Sequence, residues 1–154
     1  MTIRREIPGA GSFELEHLLC DVNGTIANRA HLIDGVEERI ARARDRLTVH
    51  LLSADTLYNL DETAAALGVD GHRVLNGTEK RDYANALGAD RCAAIGNGNN
   101  DVPMLDAVRF GIAVIGPEGA GGKALAAADA VVTSILDAFD LLLEDDTTRS
   151  TLRP

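Results

Sequence analysis

The 154-residue chain has no tryptophan, two tyrosines and three phenylalanines, an aromatic content of only 3%. Without a row of flat side chains there is no platform for stacking bases, which excludes one common mode of single-strand recognition. Cations are scarce too: 15 Lys and Arg stand against 24 Asp and Glu, a net charge of −9. Such a surface repels nucleic-acid phosphates and anionic membranes. No apolar run approaches the roughly 20 residues of a membrane span. The N-terminal MTIRREIPGAG lacks the apolar core of a secretory signal. Cysteine is nearly absent: Cys20 and Cys92 each lie inside an apolar run and are expected as buried thiols, not a disulfide. His17, His31, His50 and His72 show no metal-ligand spacing and are expected to be structural or surface residues. The composition points to a cytoplasmic, reduced protein with no nucleic-acid and no membrane partner.

What is present is a hydrophobic content of 45%, ample for one core in a chain of this length. Short apolar runs at 17–22, 47–53, 72–76, 91–96, 110–116 and 129–134 alternate with amphipathic segments near 35–46, 56–67, 79–88, 100–107, 121–128 and 134–143. Runs too apolar to alternate, each followed by a helix, predict a parallel sheet covered on both faces. The expected fold is therefore α/β, a doubly wound parallel sheet with its site at the carboxyl ends of the strands. Residues 1–16, where IRREI and SFELEH flank PGAG, predict a small antiparallel hairpin ahead of a core over 17–143. The polar stretch 144–154 reads as a loose tail.

Four strand ends carry polar groups. The first delivers Asp21 into an Asn-Gly turn, and the second ends in Ser53, followed by Ala54 and Asp55. Lys80 lies in NGTEKRD after the third, and the fourth opens into GNGNNDVPML with Asp101 entering a helix. In a parallel sheet these ends lie side by side. A carboxylate nucleophile, a hydroxyl, a lysine and a further carboxylate suit phosphoryl transfer: the aspartate attacks phosphorus, and the others offset charge on the transferring oxygens.

The order DVNGT, LLSADT, Lys80, GNGNNDVPML resembles the haloacid dehalogenase (HAD) superfamily, whose motifs read DxDGT, Ser or Thr, Lys, and GDGxND. The chain looks most like the phosphorylation domain of P-type ATPases, and 110–142 resembles the stretch after the last motif in those pumps. The resemblance covers roughly 17–143. It implies a HAD-like Rossmannoid fold and a Mg²⁺-dependent phosphohydrolase or phosphotransferase acting through an aspartyl-phosphate. Carried over, it makes Asp21 the nucleophile and Asp21, the Val22 carbonyl, Asn97 and Asp101 the Mg²⁺ ligands. It also makes Ser53, Ala54, Lys80 and Asn100 the phosphate-binding groups, with Asp55 helping to arrange the site. Only 32 positions separate Asp21 from Ser53, and 27 separate Ser53 from Lys80. That leaves no room for a cap domain, so an open site is expected; the resemblance further implies a phosphorylated substrate, expected to be small, and a homo-oligomer.

Two departures are specific. Asn23 stands where the resemblance places a general acid/base, and Asn97 where it places a charged metal ligand. An amide does not exchange protons at neutral pH. Loss of positioned acid–base help costs about 10²–10⁴ in rate. The reading is therefore a slow enzyme that favours activated phosphates. The alternative is a catalytically silent HAD fold that binds a phosphorylated ligand or a protein partner. Both amides precede glycine, the setting in which asparagine deamidates most readily, although the motif calls for glycine at both places anyway.

Overall fold

The computed structural model describes residues 1–54 and 59–154. Asp55 and the opening of the helix expected from 56 lie outside the described residues.

The N-terminal hairpin is present as β1 (Ile3–Ile7) and β2 (Gly11–Leu15), whose alternating buried residues Ile3, Ile7, Phe13 and Leu15 face the core. The chain then enters the central strand β3 (His17–Asp21), a short hairpin of β4 (Ala27–Asn28) and β5 (His31–Leu32), and α1 (Val36–Arg44). It continues through β6 (Thr48–Ser53), α2 (Leu60–Leu67), β7 (Asp70–Arg73), α3 (Gly77–Leu87) and β8 (Cys92–Gly96). The last third is α4 (Val102–Ala107), β9 (Phe110–Val114), α5 (Gly122–Ala127), β10 (Ala130–Val132), α6 (Ile135–Leu143) and α7 (Asp145–Leu152).

Six strands form one parallel sheet in the order β10-β9-β8-β3-β6-β7. Period-two alternation divides the core between its faces. Leu18 and Cys20 of β3 and Ala93 and Ile95 of β8 pack with the hairpin and with Ile40 of α1, Leu60 of α2 and Phe139 of α6. Leu19, Leu52, Cys92 and Ala94 point the other way, onto Ala84 of α3, Met104 and Leu105 of α4, and Ala124 of α5. Both cysteines are buried thiols, as expected. The two faces are thus the doubly wound arrangement that the apolar runs predict. β3 connects to β6 on one side and pairs with β8 on the other, so the strand order reverses beside it and opens a crevice at its carboxyl end.

Three elements differ from the sequence reading. β7 runs over 70–73 and not 72–76: it is an edge strand paired only with β6, so its position follows register and not apolar content, and Leu75 is exposed. Residues 145–152 form a helix in place of a loose tail. The side chain of Arg5, buried in the hairpin, donates to the Leu142 and Leu143 carbonyls and approaches Thr148 and Asp145 of α7. The β4–β5 hairpin carried no sequence signal, because Arg29 and Ala30 turn it with left-handed φ of 49° and 65° where an Asn-Gly pair is usual. Among the described residues no helix is long and apolar enough to cross a membrane.

Candidate active site

Asp21 is the last residue of β3, 6% exposed, at the mouth of the crevice. The chain reverses at once: the amides of Thr25, Ile26 and Ala27 all donate to the Val22 carbonyl. Gly24 adopts φ 75° in this turn, and a Cβ there would lie 2.5 Å from a Glu118 carboxylate oxygen and 2.7 Å from the Asn97 amide nitrogen. Glycine at this place therefore serves both the turn and the close approach of two other loops.

Lys80, one of two lysines in the chain, sits in the first turns of α3 and is wholly buried. The Asn76 side chain caps this helix by accepting from the Glu79 amide, so α3 starts at 77, two residues before its apolar periodicity does. The Lys80 ammonium donates to Asp21 Oδ1 at 2.6 Å and to Asp101 Oδ1 at 2.7 Å. Asp101 Oδ2 in turn accepts from the amides of Asn97 and Gly98 at 3.0 and 3.1 Å. Gly96 makes room for it, since a Cβ there would come within 2.5 Å of the Asp101 carboxylate. The buried Thr25 hydroxyl lies 2.9 Å from Asp21 Oδ2 and 3.2 Å from Asn97 Oδ1, sharing one proton between them.

Burial and the charge of Asp101 push the Asp21 carboxyl up to about 6 against the pull of Lys80. Burial by itself would lower the Lys80 ammonium, yet the two carboxylates together raise it above the ordinary lysine value. Lys80 is thus a fixed cation already matched by two anions, and the trio carries one net negative charge.

A cleft of about 390 Å³ opens above these groups, lined by Asp21, Asn23, Ser53, Ala54, Asn97, Gly98, Asn100 and Glu118. Of the residues expected at the site, Asp21, Asn23, Ser53, Ala54, Asn97 and Asn100 converge on it. Lys80 lies directly beneath. Two residues expected around a metal ion sit otherwise: the Val22 carbonyl is taken up by the turn, and both oxygens of fully buried Asp101 are engaged.

The residue that sequence reasoning missed is Glu118. It belongs to GPEGAGGKAL (116–125), the Gly-rich stretch that leads from β9 into α5. The Gly121 amide donates to the Asn97 carbonyl, and Gly116 lies so close that a Cβ would be 3.0 Å from the Gly24 carbonyl oxygen. The loop is thereby drawn onto the Asn23-Gly24 turn and presents a carboxylate. The signal that could have found it is the one acidic residue in a Gly-rich loop following a strand next to the site.

Residues 81–137 match the family of haloacid dehalogenase-like hydrolases. An uncharacterized protein of Methanocaldococcus jannaschii is 50% identical over 60 residues, 39% of this chain and 64% of that protein. The chloroplastic copper-transporting ATPase PAA1 of Arabidopsis thaliana is 29% identical over 132 residues, 78% of this chain but 14% of the pump. The chain therefore spans less than two thirds of either relative. Among solved structures, the cobalt-bound deoxy-D-mannose-octulosonate 8-phosphate phosphatase of Haemophilus influenzae superposes with a TM-score of 0.71 at 20% identity, covering 91% of this chain and 94% of that one. The Moraxella catarrhalis 3-deoxy-D-manno-octulosonate 8-phosphate phosphatase, in complex with magnesium, phosphate and sugar, gives 0.67 at 18% identity, covering 88% and 90%. At these identities the structural likeness is one of fold. With a family match over 81–137, a six-stranded fold shared with solved phosphatases and its motifs in order around one crevice, the chain is similar to the haloacid dehalogenase-like hydrolases, and over 132 residues also to a P-type copper pump.

Proposed function

We propose that the chain is a Mg²⁺-dependent phosphohydrolase that passes a phosphoryl group through Asp21. The observation that carries the reading is the Asp21–Lys80–Asp101 trio beneath an open cleft. It holds one carboxylate oxygen at the cleft mouth, oriented by a buried ammonium. An Asp21 oxygen bonds to phosphorus as the bond to the leaving oxygen breaks and its electron pair departs with the product. Water then attacks the aspartyl-phosphate and releases inorganic phosphate. Ser53, Ala54 and Asn100 line the position of the phosphoryl oxygens, and Lys80 acts on them from below.

The residues present fit a hard cation. No Lys or Arg lines the cleft among the described residues, while two carboxylates and three amide side chains do. An anionic phosphate entering that field needs a cation, and oxygen donors of this kind suit Mg²⁺. We assign Asp21, Asn97 and an oxygen of Asn23 as its ligands, with Asp101 as the residue that positions Lys80. When bound, Mg²⁺ supplies positive charge to the phosphoryl oxygens.

Glu118 is proposed as the carboxylate that moves protons where Asn23 does not. The substrate class is a small phosphate ester or acyl phosphate with a good leaving group. The open cleft suits such a molecule, and the Moraxella phosphatase of similar fold holds phosphate and a sugar. A second reading, a silent fold that only binds, rests on the amide at Asn23. Phosphate release from acetyl phosphate and p-nitrophenyl phosphate separates the two. Turnover that requires Mg²⁺, disappears in Asp21→Asn and rises in Asn23→Asp is expected. Inert native protein together with an inert Asn23→Asp variant would leave the binding reading.

A further inference from the structure

Toward the β7 edge of the sheet a second group of ligand-type side chains comes together. His17 opens β3, His50 is the third residue of β6, and Asp70 and His72 lie in β7. Register pairs Leu19 with His50, His50 with Asp70, and Leu52 with His72. Alternation then places all four on one face, the face that α3 covers with Tyr83. From the sequence these histidines are expected as structural or surface residues, without metal-ligand spacing. Neighbours across parallel strands are separated by whole strand–helix units, so no short spacing reports them.

The rings are in contact. His17 Nδ1 lies 3.1 Å from His50 Nε2. The Tyr83 hydroxyl lies 2.9 Å from His50 Nδ1 and 2.6 Å from His72 Nε2. Two ring nitrogens are thus aimed at one point, and the hydroxyl there has a single proton to give them. One nitrogen from each ring and one oxygen of Asp70 fall within 4.8 Å of one another. Ligand atoms around a tetrahedral zinc ion at 2.0–2.1 Å stand about 3.4 Å apart, so the closing required is on the order of 1.5 Å, a matter of side-chain rotation. His50 is buried at the back of the group, His72 is half-buried and Asp70 is exposed, which leaves a path for an ion from solvent.

We propose that His50, Asp70 and His72 form a second metal site, for a zinc-class transition ion such as Zn²⁺, Co²⁺ or Ni²⁺, with Tyr83 or water as the fourth ligand. Two imidazoles and one carboxylate suit these ions and not Mg²⁺, which separates this site chemically from the phosphate cleft. None of the three ligands lines the phosphate cleft, so the two sites also have separate linings. A bound ion ties edge strand β7 to β6, and the inference stands whether or not the cleft is catalytic.

The test uses untagged full-length protein, stripped with EDTA and exchanged into excess Mg²⁺ so that the oxygen-lined cleft is occupied. Titration with Co²⁺ is expected to give one ion per chain with the strong visible absorption of a four-coordinate site, displaced by Zn²⁺. Zn²⁺ at 100 times its Kd is expected to raise Tm by about 5–10 °C. His72→Gln and Asp70→Asn, both on the edge strand, should each lose the absorption and the shift, whereas Asp21→Asn should keep both. Absence of the absorption in native protein, its survival in His72→Gln and Asp70→Asn, or its loss in Asp21→Asn would overturn the site.

Discussion

Burial and Asp101 raise the Asp21 carboxyl to about 6, whereas an unfolded chain leaves an aspartate near 3.9. Between those values the folded protein holds a proton that the unfolded chain has lost. Metal-free protein therefore loses stability as pH rises from about 4 to about 6, and the loss persists above that. Asp21→Asn removes the strained charge and leaves Lys80 paired with Asp101. It is expected to stabilise the EDTA-treated protein at neutral pH by on the order of 2 kcal/mol, roughly 4–8 °C in Tm. The gap should close below about pH 4, as thermal unfolding across pH will show. A variant less stable than native at neutral pH would contradict this electrostatic account. Glu118 carries a separate expectation. If it moves protons, Glu118→Gln should slow p-nitrophenyl phosphate hydrolysis about 10²-fold. Acetyl phosphate, with its better leaving group, should lose less, and equal losses on the two substrates would assign Glu118 another role. Asp21, Ser53 and Lys80 were legible because each closes or follows an apolar run. Glu118 was not, because its approach depends on Gly24 and Gly116 letting two loops touch.

The elements that sequence reasoning misplaced are those held by distant partners. α7 begins with Asp145 and Asp146, and Arg149 pairs with Asp145 one turn on, a pattern too weak to hold an isolated eight-residue helix. α7 is held by Arg5, more than 130 residues away, which also bonds the last carbonyls of α6, together with the Thr148 hydroxyl donating to the Leu141 carbonyl and Leu152 packed on the core. Arg5→Met keeps the bulk and removes the Arg5 bonds. It is expected to destabilise the protein by about 2–3 kcal/mol in urea unfolding and to expose α7 to protease. An unchanged midpoint would mean that the hairpin and α7 dock through apolar contact alone. β7 shows the same limit from another side: register with β6 sets it, and no apolar run marks it.

For the molecule as a whole, the sequence was legible where burial is two-sided. Strands β3, β6, β8 and β9 are buried along nearly their whole length, and each fell where a continuous apolar run predicted. Among the described residues no domain covers the crevice beside β3, and the motif residues meet there because the strand order reverses. A net charge of −9 sharpens the demand for a cation at that crevice, since the phosphate must enter an acidic molecule through an acidic cleft. The measurement that bears most directly on this account is capture of the covalent adduct: incubation with radiolabelled acetyl phosphate and Mg²⁺, acid quench and peptide mapping. Label is expected on Asp21, released by hydroxylamine and absent from Asp21→Asn. Phosphate turnover with no label on Asp21, or label that persists in Asp21→Asn, would contradict it.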